Sequence, residues 1–322
     1  MGKKNKGKEN DAKDLIKELR HLRKSHKKLL KRVQKLEESL AAYTASAAPT
    51  PEAPTEAEST DSQNTSKPAQ SAYPAPMKSG KYKNGYAPYT VTEVGKLTPT
   101  VMRLVAEPAG QASAESQGLV GEYIRLVTGK QGEALPEPDQ AKNKVRWNQP
   151  TKSTKYTVRS YQEETGALEI NIVLHEAGAG TTWAQEAAVG DLIHLLGPKS
   201  GYEISDDYDF YLLAGDETGL PGMARWIESM PYDARGVAFI QVAGPDSHQQ
   251  IDAPENFEVV WVDSTLPGAL ADAVQSYPLP QGAIFTWLAG ESGSIQPLRA
   301  WVRRELGVPK GHGYSKGYWK KK

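Results

Sequence analysis

Hydrophobic positions follow three different rules along this chain. Between residues 11 and 42, Leu15, Leu19, Leu22, His26, Leu29, Val33, Leu36 and Leu40 recur at alternating spacings of four and three. That is a coiled-coil seam with Leu at each d position. A lone helix would leave the stripe in water, so the spacing predicts a homo-oligomer through 11–42; the other reading is a single amphipathic helix docked on the body. His26 inside the seam favours one register. From about residue 86 the period shortens to two. Stretches 89–94, 100–106, 123–127, 155–161, 168–174 and 191–196 alternate or are β-branched and are separated by Gly, Pro and polar breaks. Six short strands predict a small antiparallel β-barrel over 86–200, with 130–150 as a long loop. After residue 201 apolar runs 210–214, 237–243, 259–262 and 284–289 alternate with helical patterns 223–230, 269–277 and 295–306. Strands alternating with helices predict a parallel-sheet α/β domain over 201–322. The expected fold class is therefore β plus α/β, preceded by a coiled-coil helix.

Composition separates these pieces further. Residues 43–80 hold six prolines and almost no large aliphatics, and read as a disordered linker that cannot bury enough surface to offset chain entropy. Mean hydropathy is −0.58 and net charge is zero, yet residues 1–42 carry 14 Lys and Arg against 6 Asp and Glu. The start, 1–10, is basic and unpatterned, suited to peripheral contact with anionic surfaces. Its lysines Lys3, Lys4, Lys6 and Lys8 are broken by Gly2 and Gly7, which does not make the continuous helix that enters a DNA groove, so no specific nucleic-acid binding is expected. The chain has no cysteine, which excludes disulfides, thiol catalysis and Cys-ligated clusters and suits a reducing compartment. No apolar run is long enough to span a bilayer, and the start lacks a signal-peptide core. Lys6 stands where a myristoylation motif wants Ser or Thr.

Candidate chemistry gathers at a few turns. The strand Thr154-Lys155-Tyr156-Thr157-Val158-Arg159 offers a ring, hydroxyls and cations within six residues, and also reads as a plain amphipathic strand. In parallel α/β sheets ligands sit beyond the carboxyl ends of strands. Two such ends run into Gly215-Asp216-Glu217-Thr218-Gly219-Leu220-Pro221 and into Gly290-Glu291-Ser292-Gly293. The first has glycines for close approach, a hydroxyl, and Pro221 for a first helical turn whose N–H groups suit a pyrophosphate. Asp216 and Glu217 would repel phosphate, so other atoms of the turn would make that contact. Gly178-Ala179-Gly180-Thr181-Thr182-Trp183 has Trp where the dinucleotide fingerprint needs Gly. Gly290 to Ser294 lacks the closing Gly of a nucleophile elbow. The six histidines show no metal spacing. No catalytic acid–base pair and no metal site are expected.

From about residue 86 to 322 the chain resembles the siderophore-interacting protein family of ferredoxin-reductase-like ferric-siderophore reductases. The resemblance rests on short pieces in order: Tyr156-Thr157-Val158-Arg159; His175 to Ala184 with Trp183; Gly190-Asp191 and Leu196-Gly197-Pro198; Leu213 to Pro221; Leu288 to Glu291; and Gly317-Tyr318-Trp319. It implies an FAD-binding barrel, an NAD(P)H-binding domain, and a cytoplasmic enzyme taking electrons from NAD(P)H through FAD to a ferric siderophore. It further implies that Tyr156 packs on the isoalloxazine and Thr157 hydrogen-bonds near its reactive nitrogen. Thr181 and Thr182 would meet the pyrophosphate, with Arg159, His175 and Trp183 in the matching segments. Gly215, Asp216, Glu217, Thr218, Pro221, Gly290 and Glu291 would border the nicotinamide, while Tyr318 and Trp319 close over the flavin. Lys320, Lys321 and Lys322 beside that cover would attract an anionic ferric chelate. The strand end Gln241-Val242-Ala243-Gly244 has no cation after it, which favours NADH. Two departures matter: the loop Gly178-Ala179-Gly180-Thr181 lacks the family's usual Pro, and the family has Arg two residues before the tyrosine, where this chain has Thr154. Lys152, two further along the same face, can substitute only as a point charge. A scaffold that has lost its flavin and works through the coiled coil is the alternative reading, and a flavin reductase without an iron substrate is a third.

Overall fold

The computed structural model describes residues 73–322, save 83, 84, 131, 142, 143, 176, 177 and 322. The basic start, the coiled-coil segment and the linker as far as residue 72 lie outside the described residues. The chain forms β1 (Lys78–Ser79), β2 (Tyr86–Thr98), β3 (Val101–Pro108), β4 (Tyr123–Gly129), β5 (Asp139–Ala141), β6 (Lys144–Arg146), β7 (Thr151–Thr157), β8 (Ser160–Tyr161) and β9 (Leu168–Val173). Next come α1 (Ala179–Glu186), β10 (Leu192–Lys199), β11 (Tyr202–Glu203), β12 (Phe210–Asp216), α2 (Leu220–Ile227), β13 (Gly236–Val242), β14 (Phe257–Asp263), α3 (Ala269–Ser276), β15 (Ile284–Glu291), α4 (Ser292–Arg304) and β16 (Gly313–Trp319).

Seven strands form one antiparallel sheet in the order β7-β4-β10-β2-β3-β9-β8. Its two ends, β7 and β8, are consecutive in the chain. Residues 151–157 pair with β4 and residues 160–161 with β9. Val158 N bonds Glu122 O at 3.0 Å and Arg159 N bonds Glu169 O at 2.8 Å, so one bent segment closes the sheet into a barrel and removes its edge. Period-two residues Tyr89, Val91, Leu104, Ile124, Leu126, Ile170, Ile193 and Leu195 fill the interior. Trp183 and Ala184 of α1 plug one corner.

The second sheet is parallel, in the order β14-β13-β12-β15-β16. The alternate residues Tyr211 and Leu213 of β12 face α2, while Phe210, Leu212 and Ala214 face α3 and α4. Burial on both faces explains why these strands read as unbroken apolar runs. The antiparallel-then-parallel fold expected from the periodicities is the fold observed. Among the described residues no helix is long and apolar enough to cross a membrane.

Four local features differ from the pattern, the first being that β5 and β6 pair antiparallel inside the expected 130–150 loop. Helix α1 forms over a stretch with glycines at 178 and 180, because Trp183 and Ala184 bury against the barrel. Strand β16 forms in the Gly-, Lys- and Tyr-rich tail because β15 offers a full ladder, Thr286 to Gly290 opposite Gly313 to Gly317. Residues 73–80, linker by composition, join the body. Tyr73 packs on Tyr208 and His312, and Lys78–Ser79 pair with Tyr202–Glu203. Two apolar side chains and one ladder are too small a signal for a compositional window.

Candidate functional site

Strand β7 presents two environments at its end. Thr154 and Tyr156 lie opposite Leu126 and Ile124 of β4, whose side chains fill the barrel. The Tyr156 ring therefore packs toward the core and its tip reaches α1. A Cβ on Gly180 would sit 2.1 Å from the Tyr156 hydroxyl and 3.4 Å from Thr154 Oγ1, so glycine is what lets the phenol pass. Burial holds the phenol well above its usual pKa, with a Thr154 hydrogen bond acting in the other direction.

Helix α1 opens at Gly178 without a side-chain cap. Its first-turn N–H groups have no carbonyl of their own helix to meet and point outward with the positive end of the helix dipole. Thr181 is buried and its hydroxyl lies 2.8 Å from His175 Nδ1. Thr182 beside it is exposed, as is Lys152 on the strand face shared with Thr154. Trp183, 6% exposed, points into the barrel core. Tyr156, Thr181 and His175 thus meet at the start of α1, with Thr182 exposed on that helix and Lys152 exposed on the strand, while Trp183 is buried in the barrel.

Thr157, the next residue, faces the α/β domain. Its Cγ2 is 3.4 Å from where a Cβ on Gly222 of α2 would lie. Helix and strand then run in step. Arg225 Nη1 donates to Val158 O at 3.1 Å, and Arg159 forms a two-pronged pair with Glu228 at 2.7 Å and 2.7 Å. Arg159 is thereby committed to joining the domains. Arg225 also reaches Glu122, which is wholly buried at 3.1 Å from it, and Ser116 at 2.8 Å. Glu122 accepts further bonds from Tyr82 at 2.6 Å, from Gln117 N at 2.6 Å, and from Ser116. Neither Glu122 nor Arg225 had a sequence signal, because the pair spans 103 positions.

Opposite Thr157 stands an aromatic wall. Trp287 and Tyr314 stack with ring centroids 3.9 Å apart, and Tyr202 packs against both. Tyr318, pushed up to about 12 chiefly by burial, hydrogen-bonds Tyr314 and Thr157.

The turn after β12 is tied to the turn after β15 and to the tail. Asp216 Oδ1 accepts from Thr218 N at 2.8 Å and Thr218 Oγ1 at 2.5 Å. Its Oδ2 accepts from Glu291 N at 2.7 Å and Trp319 Nε1 at 2.8 Å. Cβ atoms on Gly215 and Gly219 would lie 2.1 Å and 2.4 Å from Ala289 O, and one on Gly290 would lie 2.9 Å from the Asp216 carboxylate. These glycines admit protein atoms. Glu291 caps α4 through Ser294 N at 2.8 Å and accepts from Lys321 N at 3.1 Å. Burial acts upward on this carboxyl, but backbone donors of Lys321, Ser294 and Gly293 outweigh it and hold Glu291 below its usual range. Glu217 turns toward the barrel, where Thr100 Oγ1 donates to it at 2.5 Å. Burial, with some help from Asp216, raises its pKa against hydrogen bonds from Thr100 and Ser247. Pro221 is buried in the first turn of α2. Lys320 and Lys321 are exposed beside Trp319, and Lys322 lies outside the described residues. Thr157, Asp216, Thr218, Gly290, Glu291, Tyr318 and Trp319 therefore form a second cluster, which meets the first at the end of β7.

Comparison with known proteins agrees with this architecture. Residues 90–202 match the siderophore-interacting FAD-binding domain, and residues 208–322 match the siderophore-interacting protein family. An uncharacterised protein of Mycobacterium tuberculosis is 32% identical over 258 residues, covering 72% of this chain and 89% of that one. The ferric vibriobactin reductase ViuB of Vibrio cholerae is 29% identical over 210 residues, covering 62% and 77%. A siderophore utilization protein from T. fusca superimposes with a TM-score of 0.67 at 27% identity, covering 76% of this chain and 96% of that one.

Proposed function

This chain belongs to the siderophore-interacting protein family, and from that membership we propose that it is a flavin-dependent reductase passing electrons from NAD(P)H through FAD to a ferric siderophore, with iron leaving as Fe(II). FAD, when bound, supplies the conversion between a two-electron donor and a one-electron acceptor. The observation that carries the reading is the corner where the Tyr156 hydroxyl meets Gly180. A ring, an uncapped helix start, an exposed threonine and an exposed lysine on a barrel of the FAD-binding type suit a diphosphate and the flat group attached to it.

In this reading Lys152, Thr182 and the first-turn N–H groups of α1 bind the diphosphate, with His175 holding Thr181. Tyr156 backs the diphosphate corner at Gly180, and Thr157, on the opposite face of the strand, orients the ring system. Asp216 and Glu291 hold the tail so that Tyr318 and Trp319 exclude water from the reacting face. Lys320, Lys321 and Lys322 supply positive charge for an anionic ferric chelate. No proton needs to move for iron to be reduced, which suits a site without an acid–base pair. A reductant made inside cells makes the cytoplasm the compartment of this reading.

The test is direct. Purified protein is reconstituted with FAD, mixed anaerobically with NAD(P)H, and then given a ferric siderophore together with an Fe(II)-trapping dye. Bleaching of the flavin followed by its recovery with Fe(II) appearance is the expected result. A colourless protein that also fails to take up added FAD would sink the proposal.

A further inference from the structure

The parallel sheet identifies which strand end meets which part of a dinucleotide. Its order β14-β13-β12-β15-β16 reverses direction between β12 and β15, and ligands in such sheets lie across that switch point. The residue at the end of the second strand then meets the adenosine ribose, and here the second strand is β13. Its end is flanked by two carboxylates. Asp263, the last residue of β14, pairs directly opposite Val242, the last residue of β13. Asp246 follows in the short 3-10 turn Pro245–Ser247. Both are exposed. Thr265 N donates to Asp263 Oδ1 at 2.7 Å, a bond that favours the ionised carboxylate.

Among the described residues the lysines and arginines of this domain lie elsewhere, and His248, at the end of the Asp246 turn, stacks on Trp261. No Lys or Arg occurs from residue 236 to residue 298. Arg235 and Lys310 precede β13 and β16, at the opposite end of the sheet, and Arg225 is engaged by Glu122. Arg299, Arg303 and Arg304 lie in the second half of α4, the half that has run back toward the amino ends of the strands. Lys316, Lys320 and Lys321 belong to or follow β16, three strands from β13 and so about 14 Å across the sheet. The barrel hairpin that touches this corner, with Thr100 Oγ1 3.4 Å from Ser247 Oγ, carries Arg103 and Lys96. Arg103 is taken up by Glu93 at 2.5 Å and Glu169 at 3.0 Å, and Lys96 is exposed on β2.

We propose that the electron donor is NADH, and that Asp246 and Asp263 exclude NADPH by accepting the ribose hydroxyls and repelling a 2′-phosphate. The inference rests on the reading that this chain oxidises a pyridine nucleotide. Placing a phosphate against like charge costs several-fold to hundred-fold in binding, so a preference on the order of tenfold or more is expected.

The experiment follows flavin bleaching after anaerobic mixing of the FAD-loaded protein with NADH and, separately, NADPH at matched concentrations. A kcat/KM favouring NADH by about tenfold or more is the expected result. The double variant Asp246→Ser with Asp263→Arg should narrow that ratio by raising the NADPH rate. A flavin-independent measurement accompanies it: calorimetry should show ADP-ribose binding more tightly than its 2′-phosphorylated form. NADPH matching or exceeding NADH overturns the donor assignment and leaves the reductase reading intact. An unchanged ratio in the double variant overturns the roles of the two aspartates. A flavin bleached by dithionite but by neither nucleotide overturns both this inference and the reading beneath it.

Discussion

The indole Nε1 of Trp319 donates a 2.8 Å hydrogen bond to Asp216 Oδ2, joining the end of the last strand to the end of the first strand of the parallel sheet. The same oxygen accepts from Glu291 N at 2.7 Å, so one carboxylate ties three segments together. The acidic turn is thus used internally. Its negative charge is spread over four donors, two of them backbone N–H groups.

Asp216→Ala would strand those donors at once. A loss of about 2–3 kcal/mol is expected from leaving part-buried donors without an acceptor. The tail should also loosen, because Trp319 and the Glu291 turn lose their shared anchor. Faster trypsin cleavage after Lys316 and Lys320 measures this, and cleavage at the parental rate would show that the ladder with β15 holds the tail alone.

The Glu122–Arg225 pair joins barrel to α/β domain inside a region where Glu122 has no exposure. Removing one partner of a buried pair costs about 3–5 kcal/mol, since the other charge remains. Arg225→Met should therefore lower stability to urea by roughly 3 kcal/mol. It should also separate unfolding into two transitions, one per domain, when tryptophan fluorescence is compared with circular dichroism.

In the proposed reading, flavin affinity turns on Thr154. Its Oγ1 lies 3.4 Å from where a Cβ on Gly180 would be, so a longer cationic side chain there can reach the start of α1. Thr154→Arg should tighten FAD binding about tenfold or more, the worth of one charge-assisted hydrogen bond. Fluorescence titration of FAD measures it. Unaltered affinity would favour the scaffold reading, in which the cofactor site has lapsed.

Glu217 makes a pH prediction with a definite sign. Its pKa in the fold is raised above its usual 4.5, mainly by burial. A carboxyl raised by folding contributes stability in its protonated form, present below its unfolded pKa and lost as pH climbs through the folded one. Glu217→Gln cannot ionise and still accepts from Thr100. Its Tm should gain on that of the parent as pH rises from about 4 to 7, and a constant difference would contradict the shift.

Periodicity by itself determined a great deal here. Alternation at Tyr89 and Val91, or at Ile124 and Leu126, reads as barrel strands because side chains on a strand point to opposite faces whatever the partner. The apolar runs Phe210 to Ala214 and Ile284 to Ala289 read as buried parallel strands for the same local reason. The order of short motifs, from Tyr156-Thr157 to Tyr318-Trp319, was also legible, because order survives in a linear string.

Only the tertiary structure decided what those residues touch. Tyr156 and Thr157 are neighbours in sequence but serve opposite sides of β7, one against Gly180 of the barrel's own helix and one against Gly222 of the other domain. Arg159, a cofactor candidate by motif, is drawn into an ion pair with Glu228, 69 positions away. Asp216 becomes an anchor because Trp319 arrives 103 positions later. Such pairings depend on where the closed barrel and the twisted sheet bring distant segments together. Local propensity carries no record of that distance, and this is why the elements could be read from the sequence and their partners could not.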